Sequence, residues 1–169
     1  MIALAAARAS ASPEGDRLTL GYYAARPIAG TAGGIGHTIT ARWDRAWLNG
    51  LELGVGLEVG FSVGSEPLAR ATLLPGIAKI FELGGLQARI EAAAGPQIVG
   101  GRVTLDAIPL QGIEARSFHV EVAGGLDAPL TDRLDLRARL GATMDGLYPA
   151  GHASTRLSPF VGVGVVLRL

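Results

Sequence analysis

The chain has 169 residues, with 15 basic and 15 acidic side chains, no cysteine, 25 glycines and a mean hydropathy of +0.34. This length suits one domain, the neutral charge offers no basic face to nucleic acid, and the lack of cysteine excludes disulfides, thiolate metal sites and thiol nucleophiles. Although 49% of the residues are hydrophobic, no run approaches the roughly 20 apolar residues of a membrane-spanning helix.

The first 16 residues are predicted to lie outside the folded domain. Residues 1–7 form a short apolar stretch, and residues 9–11 (Ala-Ser-Ala) match the small-residue pattern that signal peptidase cleaves. We therefore expect residues 1–16 to be the remnant of a signal peptide or a disordered N-terminal tail. Residues 17–169 are predicted to form a single domain.

From residue 17 onward, apolar and polar side chains alternate with a period of two, which places them on opposite faces of a β-strand. The pattern is clearest over residues 51–63, where every odd position is apolar and every even position is charged, glycine or serine. Eight strands are predicted, near residues 17–25, 36–47, 51–63, 68–83, 86–99, 114–126, 133–145 and 157–169. Short connections alternate with longer ones, at residues 26–35, 100–113 and 146–156. This arrangement indicates an all-β fold, an eight-stranded antiparallel up-and-down β-barrel.

Two tight turns are expected to keep the apolar face continuous along the sheet. Gly84 and Gly85 are predicted to form a two-residue primed turn, since glycine tolerates positive φ. In the preceding hairpin the apolar positions are odd on both strands, so the loop must contain an odd number of residues. A three-residue loop at residues 48–50, with Trp47 facing Leu51, satisfies this requirement.

Such a barrel is either soluble with an apolar interior or membrane-embedded with an apolar exterior. Three features favour the membrane. The polar faces carry many glycines, which suit the narrow interior of eight strands, and the chain has only one lysine, whereas a water-facing exterior usually carries several. Thirteen residues at about 3.3 Å each, tilted by about 40°, also rise roughly 33 Å, enough to cross a bilayer core. We therefore predict a transmembrane barrel. Its lipid-facing side chains are expected to include Leu53, Val55, Leu57, Val59, Ala138, Leu140, Val163 and Val165.

The last eight residues, GVGVVLRL, carry a resemblance to a known family. They resemble the C-terminal sorting signal of bacterial outer-membrane barrels, with Gly164, Leu167 and Leu169 as the assembly signal. Residues 17–169 together resemble the eight-stranded barrels of the OmpA-like and opacity-protein group. The resemblance implies a location in the bacterial outer membrane, insertion by the barrel-assembly machinery and contact with outer-membrane lipid. We expect a monomer without a cofactor or a metal.

Charged side chains collect on the face that is predicted to line the lumen. The expected polar network consists of Arg42, Glu52, Glu58, Arg70, Arg89, Glu91, His119, Glu121, Asp135, Arg137 and Arg139. Because unpaired charge is costly in a narrow interior, a near balance of signs predicts ion pairs that plug the barrel. The alternative is a narrow channel for small solutes or ions, although a selective pore more often has a surplus of one sign.

Three histidines invite a catalytic interpretation, and for each we favour a simpler one. His119 and Glu121 share a strand face, and a histidine beside a carboxylate could act as a general base. The preferred interpretation is a histidine whose hydrogen bonds are satisfied within the polar network. His152-Ala153-Ser154 resembles the H-x-S spacing of outer-membrane lipid A deacylases, yet no acidic residue follows Ser154. His37 adds no recognisable metal-ligand spacing. We predict a non-enzymatic protein with a structural or surface-interaction role, with a lipid-modifying enzyme and a soluble ligand-binding barrel as further alternatives.

Overall fold

A computed structural model describes residues 15–28, 35–63, 68–105, 108–111, 115–148 and 154–169. Nine strands and no helix are present in these residues. The strands are β1 (Asp16–Ala25), β2 (Ile35–Leu48), β3 (Leu51–Val63), β4 (Leu68–Leu83), β5 (Leu86–Leu105), β6 (Ile108–Gln111), β7 (Ala115–Pro129), β8 (Leu134–Tyr148) and β9 (Ser154–Arg168). In the described part of the chain, no helix has the length and hydrophobicity needed to span a membrane.

Eight of the strands close into a barrel in which every neighbouring pair is antiparallel. The hydrogen-bonded order is β4-β3-β2-β1-β9-β8-β7-β5, and pairing between β4 and β5 closes the ring. The predicted eight-stranded up-and-down barrel is therefore confirmed. The ninth strand, β6, pairs only with the far end of β5 and extends one hairpin beyond the barrel. Part of the connection predicted at residues 100–113 is thus a continuation of the sheet.

Side-chain exposure alternates along every barrel strand, with apolar residues outside. Leu140 is 69% exposed and Val161 is 67% exposed, whereas Glu52 and Asp135 are fully buried. The interior of this protein is therefore largely polar, and its surface carries the large hydrophobic side chains. The turns at residues 49–50, 84–85 and 130–133 lie at one rim with residues 16 and 169, and this rim is called the short-turn end below. The strand ends that flank the predicted long connections lie at the other rim, called the long-loop end.

The hairpin between β2 and β3 differs from the predicted three-residue loop. Leu48 pairs with Leu51 across a two-residue turn in which Asn49 and Gly50 have φ values of 48° and 73°. The pairing slips by one residue just before this turn, so Trp47 forms a β-bulge. A bulge adds one unpaired residue. It therefore keeps the apolar residues of β2 and β3 on the same face of the sheet, as the three-residue loop would have done. The Gly84-Gly85 turn has the predicted form, with φ values of 56° and 93°.

Candidate functional site in the barrel lumen

Among the buried and half-buried side chains that the structure describes on the inward face of the barrel, acidic residues and arginines are equal in number. All are buried or half-buried and lie on the inward face of their strands. The eight acidic residues are Asp44, Glu52, Glu58, Glu91, Glu121, Asp127, Asp135 and Asp145. The eight arginines are Arg17, Arg42, Arg70, Arg89, Arg137, Arg139, Arg156 and Arg168. The charges of these sixteen side chains therefore cancel within the barrel.

Arg89 on β5 forms the centre of the network toward the short-turn end. Its Nε donates to Glu91 Oε2 at 2.8 Å, its Nη2 lies 2.9 Å from Asp44 Oδ2, and its Nη1 donates to Glu52. Arg89, Asp44 and Glu52 are each at most 2% exposed. Because a guanidinium presents five donors in a planar fork, one arginine can bind carboxylates in three directions.

Each carboxylate around Arg89 also has a second arginine partner. The pairs are Asp44 with Arg42 at 2.7 Å, Glu52 with Arg17 at 3.2 Å and Glu91 with Arg139 at 2.6 Å. Arg42 and Asp44 lie on the same strand, whereas the other two pairs join strands that are two apart in the ring, and Arg89 and Asp44 lie three strands apart. The network therefore links the wall across the lumen as well as neutralising its charge.

Two further ion pairs lie closer to the short-turn rim. Arg137 makes a bidentate contact with Asp127, with both donor–acceptor distances at 2.7 Å, and also donates to Thr19 Oγ1 at 3.2 Å. At the rim itself, Arg168 donates to both oxygens of Asp135 at 2.6 and 2.9 Å. Bidentate pairs of this kind fix orientation as well as charge.

A second group of side chains, called the histidine cluster, lies toward the long-loop end and contains Tyr23, Glu58, Arg70, His119, Glu121 and Asp145. His119 Nδ1 lies 2.6 Å from Asp145 Oδ1, so the ring nitrogen donates to the carboxylate. Tyr23 donates its hydroxyl to Glu58 Oε2 at 2.6 Å. Arg70 donates to the Tyr23 hydroxyl at 2.8 Å and lies 3.4 Å from Asp145.

Arg139 connects the histidine cluster to the Arg89 network. Its Nη2 donates to Oε1 of Glu91 and to Oε1 of Glu121. Its guanidinium also lies 5.1 Å from the centre of the Phe160 ring and 5.7 Å from that of Tyr23, within cation–π range. The middle of the lumen is therefore filled by an arginine held between carboxylates and aromatic rings.

Glycine makes room for this aromatic pair. The rings of Tyr23 and Phe160 are 4.6 Å apart, and Phe160 lies over Gly141 on the neighbouring strand. A Cβ at position 141 would come 2.2 Å from the Val122 carbonyl oxygen and 2.9 Å from the Phe160 ring. The inward glycines predicted from the sequence pattern thus permit large side chains beside them.

The structure places all eleven residues of the expected polar network on the inward face of the barrel. Asp44, which shares their strand face, joins them at the Arg89 centre. Sequence reasoning left out Arg17, Asp127, Asp145, Arg156 and Arg168, which lie on the same inward parity near strand ends. Arg17, Asp145 and Arg168 lie within the predicted strands, and Asp127 and Arg156 lie one residue beyond them, so the period-two pattern extended by one residue includes all five. Tyr23 also lies on the inward face of β1 and is fully buried.

The eight residues expected to face lipid all lie on the outer surface. The exposed fraction of the seven valine and leucine side chains ranges from 39% for Val55 to 69% for Leu140, and Ala138 is also exposed. Of the three assembly-signal residues, Leu167 and Leu169 are 39% and 67% exposed. Gly164 pairs with Gly21 on β1 and Arg137 on β8.

Of the two remaining histidines, only His37 lies in the described part of the chain. His37 lies on the outer surface, where its Nδ1 is 2.5 Å from the Tyr22 hydroxyl and its ring stacks on Phe61 at 5.4 Å. His152 lies outside the described residues, as do residues 1–14 with the predicted cleavage site. The H-x-S motif is therefore not placed relative to the lumen.

The lumen opens toward each rim through a different space. A cavity of about 40 Å³ at the long-loop end is lined by residues that include Gln97, Arg70 and Asp145. A depression at the short-turn end is lined by residues that include Gln87 and Arg168. The two spaces share no lining residue. On β5, Arg89 lies between Gln87 and Gln97, so its network separates them.

A closed barrel with an apolar surface and a charged lumen is the architecture of outer-membrane proteins, and solved structures of that class share this fold. Neisserial surface protein A matches with a TM-score of 0.68 and 11% identity, over 91% of this chain and 97% of that one. The outer-membrane enzyme PagL matches with a TM-score of 0.62 and 14% identity, over 85% and 97%. A de novo designed transmembrane β-barrel matches with a TM-score of 0.58 and 12% identity, over 94% and 98%. At these identities the likeness establishes the fold and not an activity.

No protein-family model matches the chain, and no curated protein matches it significantly in sequence.

Proposed function

We propose that this protein is a bacterial outer-membrane β-barrel with a structural or surface-interaction role and a lumen closed by ion pairs. The observation that carries the proposal is the Arg89 network, in which one buried guanidinium contacts three carboxylates from different strands. The sixteen buried and half-buried charged side chains of the lumen also balance, so they leave no surplus charge of one sign to select a passing ion.

The outer surface supports a position across a bilayer. Exposed aromatic residues lie near both edges of the apolar belt, with Tyr22, Phe61 and Phe118 toward the long-loop end and Trp43 and Trp47 toward the short-turn end. From Leu51, which lies beside Trp47, ten residues along β3 lead to Phe61. At about 3.3 Å per residue and a tilt of about 40° they rise roughly 25 Å, the usual height of the apolar band of such barrels.

The proposed partners follow from this placement. Outer-membrane lipid would cover the apolar belt on the outer surface. The barrel-assembly machinery would recognise Gly164, Leu167 and Leu169 at the end of the chain. The barrel closes within one chain through β1–β9 and β4–β5 pairing, so a monomer suffices. Replacement of Leu169 by Asp should then reduce assembly in cells while leaving refolding into detergent intact, as measured by the heat-dependent gel mobility of the barrel.

Planar-bilayer recording distinguishes the plugged barrel from a channel. We expect the refolded protein to insert without stable ion conductance, because the Arg89 network lies between the two openings. A control Arg45→Ala variant, altered outside the lumen, should also insert without stable ion conductance. Stable conductance that changes with replacement of Glu91 by Gln would overturn the plugged-lumen proposal and establish the narrow channel.

The fold is compatible with an enzyme, as PagL illustrates, so the non-enzymatic part of the proposal needs its own test. Lipid A from cells that overproduce the protein should have the same mass spectrum as lipid A from cells that overproduce the His152→Gln/Ser154→Ala variant. A mass difference between the two preparations would identify a lipid-modifying enzyme instead.

A further inference from the structure

Three side chains in the histidine cluster bring metal-binding atoms together inside the barrel. Glu58, His119 and Glu121 each offer one ligand atom, and these atoms lie within 4.8 Å of one another. All three side chains are at most 3% exposed. Glu58 reaches the group from β3, whereas His119 and Glu121 are two residues apart on the inward face of β7. The sequence spacing alone gives no metal motif, because the third ligand comes from β3, which β4 and β5 separate from β7 around the ring.

The ring of His119 has one nitrogen satisfied and one free. Nδ1 donates to Asp145 Oδ1 at 2.6 Å, which places the proton on Nδ1 and leaves a lone pair on Nε2. Nε2 is buried and has no hydrogen-bond partner among the described residues. A carboxylate holding the far nitrogen of an imidazole is the usual support of a metal-ligating histidine.

Neighbouring side chains also orient the two glutamates. Arg139 holds Oε1 of Glu121, and Oε2 of this buried carboxylate has no hydrogen-bond partner among the described residues. Tyr23 fixes Glu58 by donating to its Oε2 at 2.6 Å. Each of the three ligands is therefore oriented by a hydrogen bond to a second side chain, as in protein metal sites.

His119 Nε2 makes no hydrogen bond to the carboxylate of Glu58. The distance from His119 Nε2 to Glu58 Oε2 is 3.8 Å, which is too long for a hydrogen bond. Donor atoms around a tetrahedral zinc ion, with bonds of about 2.0–2.1 Å, lie about 3.3 Å apart. A small inward movement of the side chains would therefore bring all three into bonding distance of one ion.

We propose that Glu58, His119 and Glu121 bind one divalent transition-metal ion, with zinc as the best fit, and that Asp145 and Tyr23 position the ligands. Imidazole nitrogen with carboxylate oxygens is a donor set that zinc accepts. The ion would join β3 to β7 across the lumen. Access is from the long-loop end, since Asp145 and Arg70 line the cavity there.

The test uses the full barrel, refolded in detergent micelles, stripped with a chelator and titrated with zinc by calorimetry. We expect one zinc ion per chain. In 15N-histidine spectra, zinc should shift the Nε2 signal of His119 and leave its Nδ1 as the protonated nitrogen. Asp145→Asn should bind about 10–100-fold more weakly, the usual effect of losing the partner of a ligating histidine.

The matched controls use the three histidines of the sequence. His37→Gln/His152→Gln keeps His119 as the only histidine and should bind zinc as the unaltered protein does, while His119→Gln should not bind. Wild-type affinity in His119→Gln, loss of binding in the double variant, or no binding by the folded unaltered barrel would each refute the proposal. If His119→Gln does not fold, Glu121→Gln serves in its place with the same expectation. Binding is measured in micelles, so its outcome is separate from membrane location and conductance.

Discussion

At the scale of single residues, the lumen is stabilised by redundancy. Each carboxylate that contacts Arg89 also contacts another arginine, so the charge of each of these carboxylates is neutralised by two arginines. Buried ion pairs are nevertheless costly to break, because the side chain that remains cannot recover its hydration. The position of a charge within this network should therefore decide its effect on stability.

Arg89→Ala should lower the free energy of unfolding by about 3–5 kcal/mol, since it removes the common partner of three buried carboxylates. Arg45→Ala is the control, because the Arg45 side chain is 70% exposed and lies 3.6 Å from Asp16. Its loss should cost no more than about 1 kcal/mol. Urea titration of the refolded barrels measures both values, and equal effects would contradict the assignment of Arg89 as the centre of the network.

Gly141 and Gly124 provide a second comparison, since they lie on opposite faces of the same pair of strands. Gly141→Ala should destabilise the barrel by about 1–3 kcal/mol through crowding against Phe160 and the neighbouring backbone. Gly124→Ala should be neutral or slightly stabilising, because its Cβ would meet nothing closer than 3.9 Å and alanine restricts the unfolded chain. The same urea titration compares them, and a larger loss in Gly124→Ala would be inconsistent with a crowded lumen.

At the scale of elements, one bulge keeps two strands in phase. The residue Trp47 has no partner on β3, and the pairing on either side of it continues from Ala46 with Glu52 to Leu48 with Leu51. Without this extra residue, the two-residue turn would join the strands with no slip. Register in a hairpin is set by turn type and loop length together.

Deletion of Trp47 should therefore be tolerated, whereas deletion of Ala46 should not. In the first variant the ladder closes without a bulge and every other side chain keeps its face. In the second, Trp47 takes the place of Ala46 and points toward Glu52 in the lumen. Circular dichroism and heat-dependent gel mobility after refolding report barrel formation. Similar behaviour of the two deletions would show that the bulge has no role in the register.

At the scale of the whole molecule, the distribution of polarity is the reverse of that of a soluble protein. Leu140, Val161 and Ile39 are more than 60% exposed, while the buried side chains are mostly polar or charged. Water is a poor solvent for so continuous an apolar belt. A surface of this kind is stable where hydrocarbon covers it, and the cost of a charge there should depend on depth.

Leu140→Arg, near the middle of β8, should cost about 2–4 kcal/mol in lipid vesicles, as expected for arginine at the bilayer midplane. Leu130→Arg, in the short turn after β7 and 58% exposed, should cost no more than about 1 kcal/mol. Unfolding in vesicles measures the difference. If both substitutions were neutral, the apolar belt would have to face something other than hydrocarbon.

Local pattern was sufficient to predict most of the fold. Period-two alternation specifies which side of each strand a residue occupies, and glycine pairs mark tight turns, so the eight strands follow without reference to distant residues. The bulge at Trp47 could not be predicted in this way. A two-residue turn with a bulge and a three-residue loop both place the apolar residues of the two strands on the same face. The outer hairpin of β5 and β6 escaped it because glycine and proline in residues 100–113 are typical of a loop.

What the sequence determined by itself was the apolar face of each strand and the concentration of arginine and carboxylate on the other, since neighbours along the chain decide both. Only the tertiary structure decided which charges meet. Arg89 contacts Asp44 and Glu52, and Glu58 lies beside His119 in the lumen. These contacts arise because the register between neighbouring strands fixes the position of every side chain along the barrel axis. Partner choice of this kind depends on distances between residues far apart in the chain, and no local pattern records them.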